Sequence, residues 1–137
     1  MGGSNYIGNS GYLGDIPSKK YNGYVGPFYR NSKTKLVDIT DGTSNTLLFG
    51  ETLAGPMSGA RDYRLTWMGA GAMPTAWGLT PVAAPYEWVN FSSKHTAVVN
   101  FAFADGSVHG INRSISYSVF IYMSGMSDGQ VFDLPTN

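Results

Sequence analysis

Between residues 98 and 111 the chain alternates. Val99, Phe101 and Phe103 fall on one face, and Val98, Asn100, Ala102 and Ala104 on the other. A period of two is the pattern of a strand with distinct faces. Asp105-Gly106 follows, a pair suited to the positive φ angles of a two-residue type I′ turn. Ser107 to Ile111 would then return antiparallel, with Val108 opposite Phe103 and His109 opposite Ala102. Small or apolar residues on both faces place this hairpin at the centre of a sheet.

Other stretches are less regular. Leu36, Val37 and Ile39 predict a short helical turn closed by Asp41-Gly42, with Gly42 in a left-handed cap. Thr46 to Glu51 reads as a strand, nearly or fully buried. Ile115, Val119, Tyr122 and Met123 recur at i, i+4, i+7 and i+8. That spacing predicts an amphipathic helix of about three turns, capped by Ser114 or Ser116 and stopped by Gly125. Asp128-Gly129 should turn the chain into a last short strand, Gln130 to Leu134. In residues 55–87, rich in Gly and Pro, Arg64 to Met68 is the strand candidate. Residues 1–29 sustain no period and read as a Gly/Tyr-rich arm, extended and looped, with Tyr6, Tyr12, Tyr21 and Tyr24 as packing points. The expected architecture is α+β, one domain over residues 1–137: a twisted antiparallel sheet around a central hairpin with a short C-terminal amphipathic helix.

Composition narrows the function. At 137 residues with 42% hydrophobic content, the chain can bury a core despite its 18 glycines. Only 13% of residues are charged and the net charge is zero, so no field exists to attract nucleic acid or anionic lipid. The chain has no cysteine, which excludes disulfides, thiolate nucleophiles and thiolate metal sites together. No apolar run is long enough to span a bilayer. Scarce charge with nine Tyr, seven Phe and three Trp leans toward an extracellular or cell-surface protein.

Candidate chemistry is sparse. The chain has two histidines, His95 and His109, and no Gly-x-Ser-x-Gly, phosphate-loop or His-Glu-x-x-His run. His95 and Asp105 would be a metal pair or an acid–base pair if they met. An unbroken strand between them holds their Cα atoms roughly 30 Å apart at ~3.3 Å per residue. They therefore read as structural positions: His95 fixing the loop before the strand through a ring hydrogen bond, and Asp105-Gly106 making the turn. Glu51 either ends its strand in solvent or pairs with Arg61, Arg64 or a histidine. Asp41-Gly42-Thr43-Ser44-Asn45 clusters oxygen ligands as a calcium loop does, but lacks the Asp-x-Asp-x-Asp-Gly pattern and a trailing bidentate acid. A turn satisfied by its own side chains is the reading it supports. Trp67, Trp77 and Trp88 suit either a sugar-stacking platform or packing, and packing is the commoner use. Asn90-Phe-Ser92 and Asn112-Arg-Ser114 fit the short N-glycosylation pattern. No cofactor or metal is expected.

Two of these blocks carry a family resemblance. His95, nine residues, then Asp105-Gly106 resembles the His-x9-Asp-Gly motif of a large prepilin-like family, abundant in planctomycete bacteria and known as domain of unknown function 1559. Val37 to Glu51, with Asp41-Gly-Thr-Ser-Asn-Thr and Gly50-Glu51, is similar to that family's second block. Ser4 to Asn9 and Gly26-Pro27-Phe28 match weaker upstream elements, in the family's order. The resemblance implies a pilin-like globular head. Family members begin with a basic leader and a long apolar helix, whereas here Met1-Gly2-Gly3 leads directly into the globular part. The expectation is a noncatalytic extracellular structural protein, a subunit of a surface fibre or pseudopilus-like assembly. Its partners would be copies of itself, with the arm laid on the next subunit. A glycan- or surface-ligand-binding module is the first alternative, and a hydrolase acting through His95, Asp105 and Glu51 a distant second.

Overall fold

The computed structural model describes residues 4–17, 20–55, 71–81 and 87–133. Five strands form one sheet: β1 (Tyr6–Asn9), β2 (Leu47–Glu51), β3 (Ala72–Met73), β4 (Val98–Phe103) and β5 (Val108–Asn112). One helix, α1 (Tyr117–Ser124), follows β5, and short 3-10 turns occupy Asn22–Tyr24 and Leu36–Asp38. The strand order is β3-β1-β2-β4-β5. All pairings are antiparallel except β1 with β3, which is parallel, so the sheet is mixed rather than purely antiparallel. The α+β class stands, with no long N-terminal helix among the described residues.

The hairpin β4–β5 forms, but not at the centre. β2 is the middle strand and β5 an edge, exposed at Val108 and His109. The turn also differs. Gly106 has φ +88° while Asp105 keeps an ordinary negative φ, and the Gly106 N–H donates to the Phe103 carbonyl at 3.0 Å. A three-residue loop ending in a left-handed glycine replaces the type I′ turn. It moves the register by one, pairing Ala102 with Val108 and Phe101 with His109. A one-residue slip exchanges the two faces of a strand. Val108 accordingly lies on the outer face and Ile111 in the core.

The arm is the larger correction. Tyr6–Asn9 is an interior strand, antiparallel to β2 through Tyr6–Glu51, Ile7–Gly50 and Gly8–Phe49. Residues 11, 12, 26 and 28 are bonded back to the same body, through Tyr12 N–H to Tyr24 O, Gly26 N–H to Ser10 O and Phe28 N–H to Asn9 O. These parts of the segment are therefore bonded to their own chain. The segment carries too few aliphatic residues for a period of two to be visible, because Gly8 and Asn9 fill positions where apolar side chains mark a strand.

The core lies between the inner sheet face, α1 and the segment before β4. Phe91, Phe101, Phe103 and Phe120 are fully buried, with Leu47, Val99 and Met123. Ring centroids of Phe91 and Phe101 lie 5.0 Å apart, and those of Phe101 and Phe120 5.8 Å apart at 67°. Each such ring contributes roughly 1.5–3 kcal/mol on burial. Gly50 permits this packing, since a Cβ there would lie 2.3 Å from Phe101 and 2.5 Å from Phe91. α1 is shorter than its spacing predicts. Its buried side is Phe120, Ile121, Met123 and Ser124, with Ile115 and Val119 only partly covered. Gly125 ends the helix in extended backbone, φ −73°, not in a left-handed cap. It is glycine because a Cβ would lie 2.3 Å from the Asp128 carboxylate. Residues 130–133 form no strand. The proposed strand Arg64 to Met68 lies outside the described residues, as does Leu134.

Candidate functional site

The sequence motifs collect at two opposite ends of β2 and β4. At one end, the Glu51 carboxylate accepts the Asn100 backbone N–H at 2.9 Å. β2 turns away here, its Glu51 carbonyl accepting from Ser92 N–H at 3.0 Å and the next amide, Thr52 N–H, donating to Asn5 O at 2.8 Å. The side chain thus replaces a ladder carbonyl that the backbone no longer offers. Tyr6 donates its hydroxyl to Glu51 Oε1 at 3.4 Å, and His95 Nε2 lies 3.7 Å from the same oxygen. Of the partners considered for Glu51, the histidine is the one found. Arg61 and Arg64 lie outside the described residues. His95 is more than half exposed, so the ion pair itself contributes little.

His95 holds its loop through its backbone rather than its ring. Its N–H donates to Ser93 Oγ at 3.0 Å, and its carbonyl accepts from Arg113 Nη2 at 2.9 Å. The same Arg113 nitrogen donates to the Ser93 carbonyl, and Nη1 to Thr80 O at 3.3 Å. One guanidinium on the residue after β5 therefore gathers three carbonyls from two loops, a use for its planar fork that a lysine could not match. Beside it lies a hollow of about 270 Å³ lined by Glu51, Ser92, Ser93 and His95 among others. Ser92 Oγ accepts the Leu53 N–H, so the serine hydroxyls there are turned to backbone.

At the other end, Asp105 Oδ1 accepts from the Ser107 N–H at 2.9 Å and from its hydroxyl at 2.7 Å. These bonds, the hydroxyl's first, hold the carboxyl below its ordinary pKa. Ser107 Oγ also meets His109 Nε2 at 3.1 Å. The Asp105 N–H donates to Thr43 O at 3.1 Å and the Ala104 N–H to Thr46 O at 3.0 Å, tying the two motif blocks directly together. Within the Asp41–Asn45 loop, Gly42 has φ +97° and Asn45 Nδ2 donates to Asp41 O at 3.1 Å. Thr46 Oγ1 donates to Gly42 O at 3.1 Å. Ser44 sits in this turn, exposed.

The Asp41 side chain has a role that no local pattern announces. Its oxygens accept the Asp128 N–H at 2.7 Å and the Gly129 N–H at 3.0 Å, 87 and 88 residues away. Asp128 Oδ2 is buried without a hydrogen-bond partner beside this carboxylate. Burial first, then the Asp41 charge and side chain against a Gln130 backbone bond, push the Asp128 pKa up to about 6.

His95 and Glu51 are brought together, then, while Asp105 stands past the far end of β4. The three candidate hydrolase residues do not converge. No group of three or more metal-binding side chains occurs among the described residues. Trp67 lies outside them. Trp77 and Trp88 are 54% and 51% exposed, against the expectation of packing. Asn90, of the first glycosylation triplet, donates its side-chain amide to the Trp77 carbonyl at 2.6 Å. The second, Asn112, accepts from Ser114 N–H and Oγ at 2.9 and 2.8 Å.

Sequence reasoning missed Asn9. It is fully buried and its side chain donates to Leu47 O at 2.9 Å and Ser124 O at 2.8 Å while accepting the Gly11 N–H at 2.8 Å. One amide thereby joins β1, β2 and the end of α1. A polar residue closing an otherwise apolar tetrapeptide, Tyr-Ile-Gly-Asn, was the available signal.

Together these features define an α+β domain whose motif loops fasten the ends of an open mixed sheet. The chain belongs to the family described as a protein of unknown function (DUF1559), whose profile matches residues 1–117. No curated protein and no solved structure matches it.

Proposed function

We propose that this chain is a noncatalytic extracellular structural protein, the pilin-like globular subunit of a surface fibre or pseudopilus-like assembly of identical copies. The observation that carries this reading is the outer face of the sheet. Gly8, Phe49, Ala102 and Val108 are directly opposite one another across β1, β2, β4 and β5, forming an apolar row. Phe28 covers Gly8 and packs against Phe49, ring centroids 4.8 Å apart and tilted by 38°, yet Phe49, Val108 and neighbouring Tyr6 remain exposed. Exposed apolar side chains gathered on one face support an interaction surface there. Zero net charge leaves copies free to approach without long-range repulsion. The motif residues support the same reading, because Glu51, Asp41 and Asp105 all accept backbone N–H groups. Sedimentation of the isolated chain across a concentration series tests it. Mass should rise with concentration and fall back to monomer for Val108→Lys. A monomer throughout would overturn the proposal.

A second reading, a module binding glycan or another surface ligand, is favoured by the exposed indoles of Trp77 and Trp88. Loss of glycan binding in Trp77→Ala, with the fold intact, is its test.

A further inference from the structure

Five tyrosines gather where the looped N-terminal segment meets α1. Tyr12 and Tyr21 lie 5.4 Å apart at 48°, Tyr12 and Tyr24 6.4 Å apart at 72°, and Tyr24 and Tyr122 6.4 Å apart at 21°. With Tyr117 and Ile121 they line a hollow of about 240 Å³. None of the five is buried. Ordinary core packing would cover rings of this size, whose burial is their main contribution to stability. Their mutual tilts make the surface concave, and the Tyr117 hydroxyl fixes one wall by donating to Ala76 O at 2.8 Å.

The chemistry of the lining selects among ligands. It holds no charged side chain, so neither an anion nor a cation would find a counter-charge. A cation would also approach the Lys20 ammonium, which already sits 5.2 Å over the Tyr21 ring. The surface exposed in the hollow is almost wholly carbon, and the Tyr117 hydroxyl is already given to Ala76 O, so a ligand must bring an apolar face. A sugar ring meets both demands. Its C–H face is weakly positive and suits the negative face of an aromatic ring, while its hydroxyls stay at the open rim beside Ser118. Aromatic walls with a few polar groups in a concave site are the usual composition of a small-ligand pocket.

We propose that this tyrosine hollow binds one pyranose ring of a neutral saccharide. It is independent of the assembly surface, which lies on the outer face of the sheet. Neither indole of the Trp77 and Trp88 platform is among the hollow's lining residues, although Ala76 and Gly78, on either side of Trp77, lie against Tyr117.

The test is NMR titration of the chain, labelled on its tyrosine rings and tryptophan indoles, with maltotriose, cellotriose and the N-acetylglucosamine trimer in turn. Tetramethylammonium chloride is the cationic control. The expected result is saturable shifts of the Tyr12, Tyr24, Tyr117 and Tyr122 rings with at least one trisaccharide, and none with the cation. Tyr122→Ala should weaken that binding by about tenfold or more, the loss typical of a central aromatic contact. Should Tyr122→Ala misfold, Tyr122→Leu, which keeps an apolar side chain but removes the ring face, should still weaken binding severalfold. Shifts confined to the indoles would overturn the hollow while leaving the Trp77 platform standing. Saturation by tetramethylammonium alone, or no shift with any trisaccharide, would overturn it outright.

Discussion

Asn9→Ala removes one buried amide and leaves three backbone groups exposed to its loss: the Leu47 and Ser124 carbonyls and the Gly11 N–H. A typical hydrogen bond contributes about 1 kcal/mol net, and a buried group stripped of its partner costs about 1–3 kcal/mol. The Gly11 N–H has no alternative within the turn that Asn9 closes. The two carbonyls are each counted at the net value of the one bond they lose. Summed, the variant should lose about 3–5 kcal/mol, a large share of the 5–15 kcal/mol typical of a domain. At roughly 3–4 °C per kcal/mol for a domain of this size, the melting temperature should fall by about 10–20 °C. Urea unfolding followed by intrinsic fluorescence measures the change. The midpoint should move with the slope unchanged. Thr75→Val supplies the scale, because its hydroxyl makes a single buried contact, with Ser124 Oγ at 2.8 Å, and should cost about 1 kcal/mol. If Asn9→Ala were no worse than Thr75→Val, the amide would not be the tie between β1, β2 and α1.

Gly50→Ala should cost about 1–3 kcal/mol or more by overpacking Phe91 and Phe101, whereas Gly106→Val, in open space, should cost only the left-handed strain of about 1–2 kcal/mol. Thermal melts that reverse this order would contradict the packing described. Asp128 has its folded pKa raised from 3.8 to about 6, so its contribution to stability is complete below pH 3.8 and is lost as pH rises through about 6. Asp128→Asn should therefore be the more stable protein above pH 6 and should flatten the profile between those values. An unaltered pH profile would remove the buried Asp128 carboxyl from the account. Glu51→Ala should destabilise by about 1–3 kcal/mol through the Asn100 N–H it strands, while His95→Gln should keep the fold. Equal losses in the two variants would mean that the ring, not the backbone around it, holds the loop.

Legibility in the sequence followed the kind of force at work. The alternation of β4 was readable because burial is one-sided there, and Val99, Phe101 and Phe103 are all fully buried. The hairpin existed as expected, but its register did not follow from Asp-Gly alone. A two-residue type I′ turn needs a positive φ at both Asp105 and Gly106, whereas the three-residue loop Ala104 to Gly106 needs it at Gly106 alone. β1 was invisible because its inward position at Asn9 is polar and Gly8 lies beneath Phe28. Glu51 could be singled out, since a carboxylate after an apolar run needs a partner, and that partner is a backbone amide supplemented by Tyr6 and His95. Asp41 was legible as a turn residue and not as the anchor of residues 128 and 129, because contacts across 87 residues leave no local pattern. The tyrosines were legible as packing points, but not the hollow they surround.

The reading of this chain as the subunit of a surface assembly is tested most directly by imaging native cell-surface material labelled with antibody against the chain. Label should decorate filaments or ordered arrays at regular spacing, and Phe49→Lys, which places a charge in the apolar row, should abolish them while the chain is still secreted and folded. Label found only on dispersed monomers, or filaments undiminished in Phe49→Lys, would contradict it.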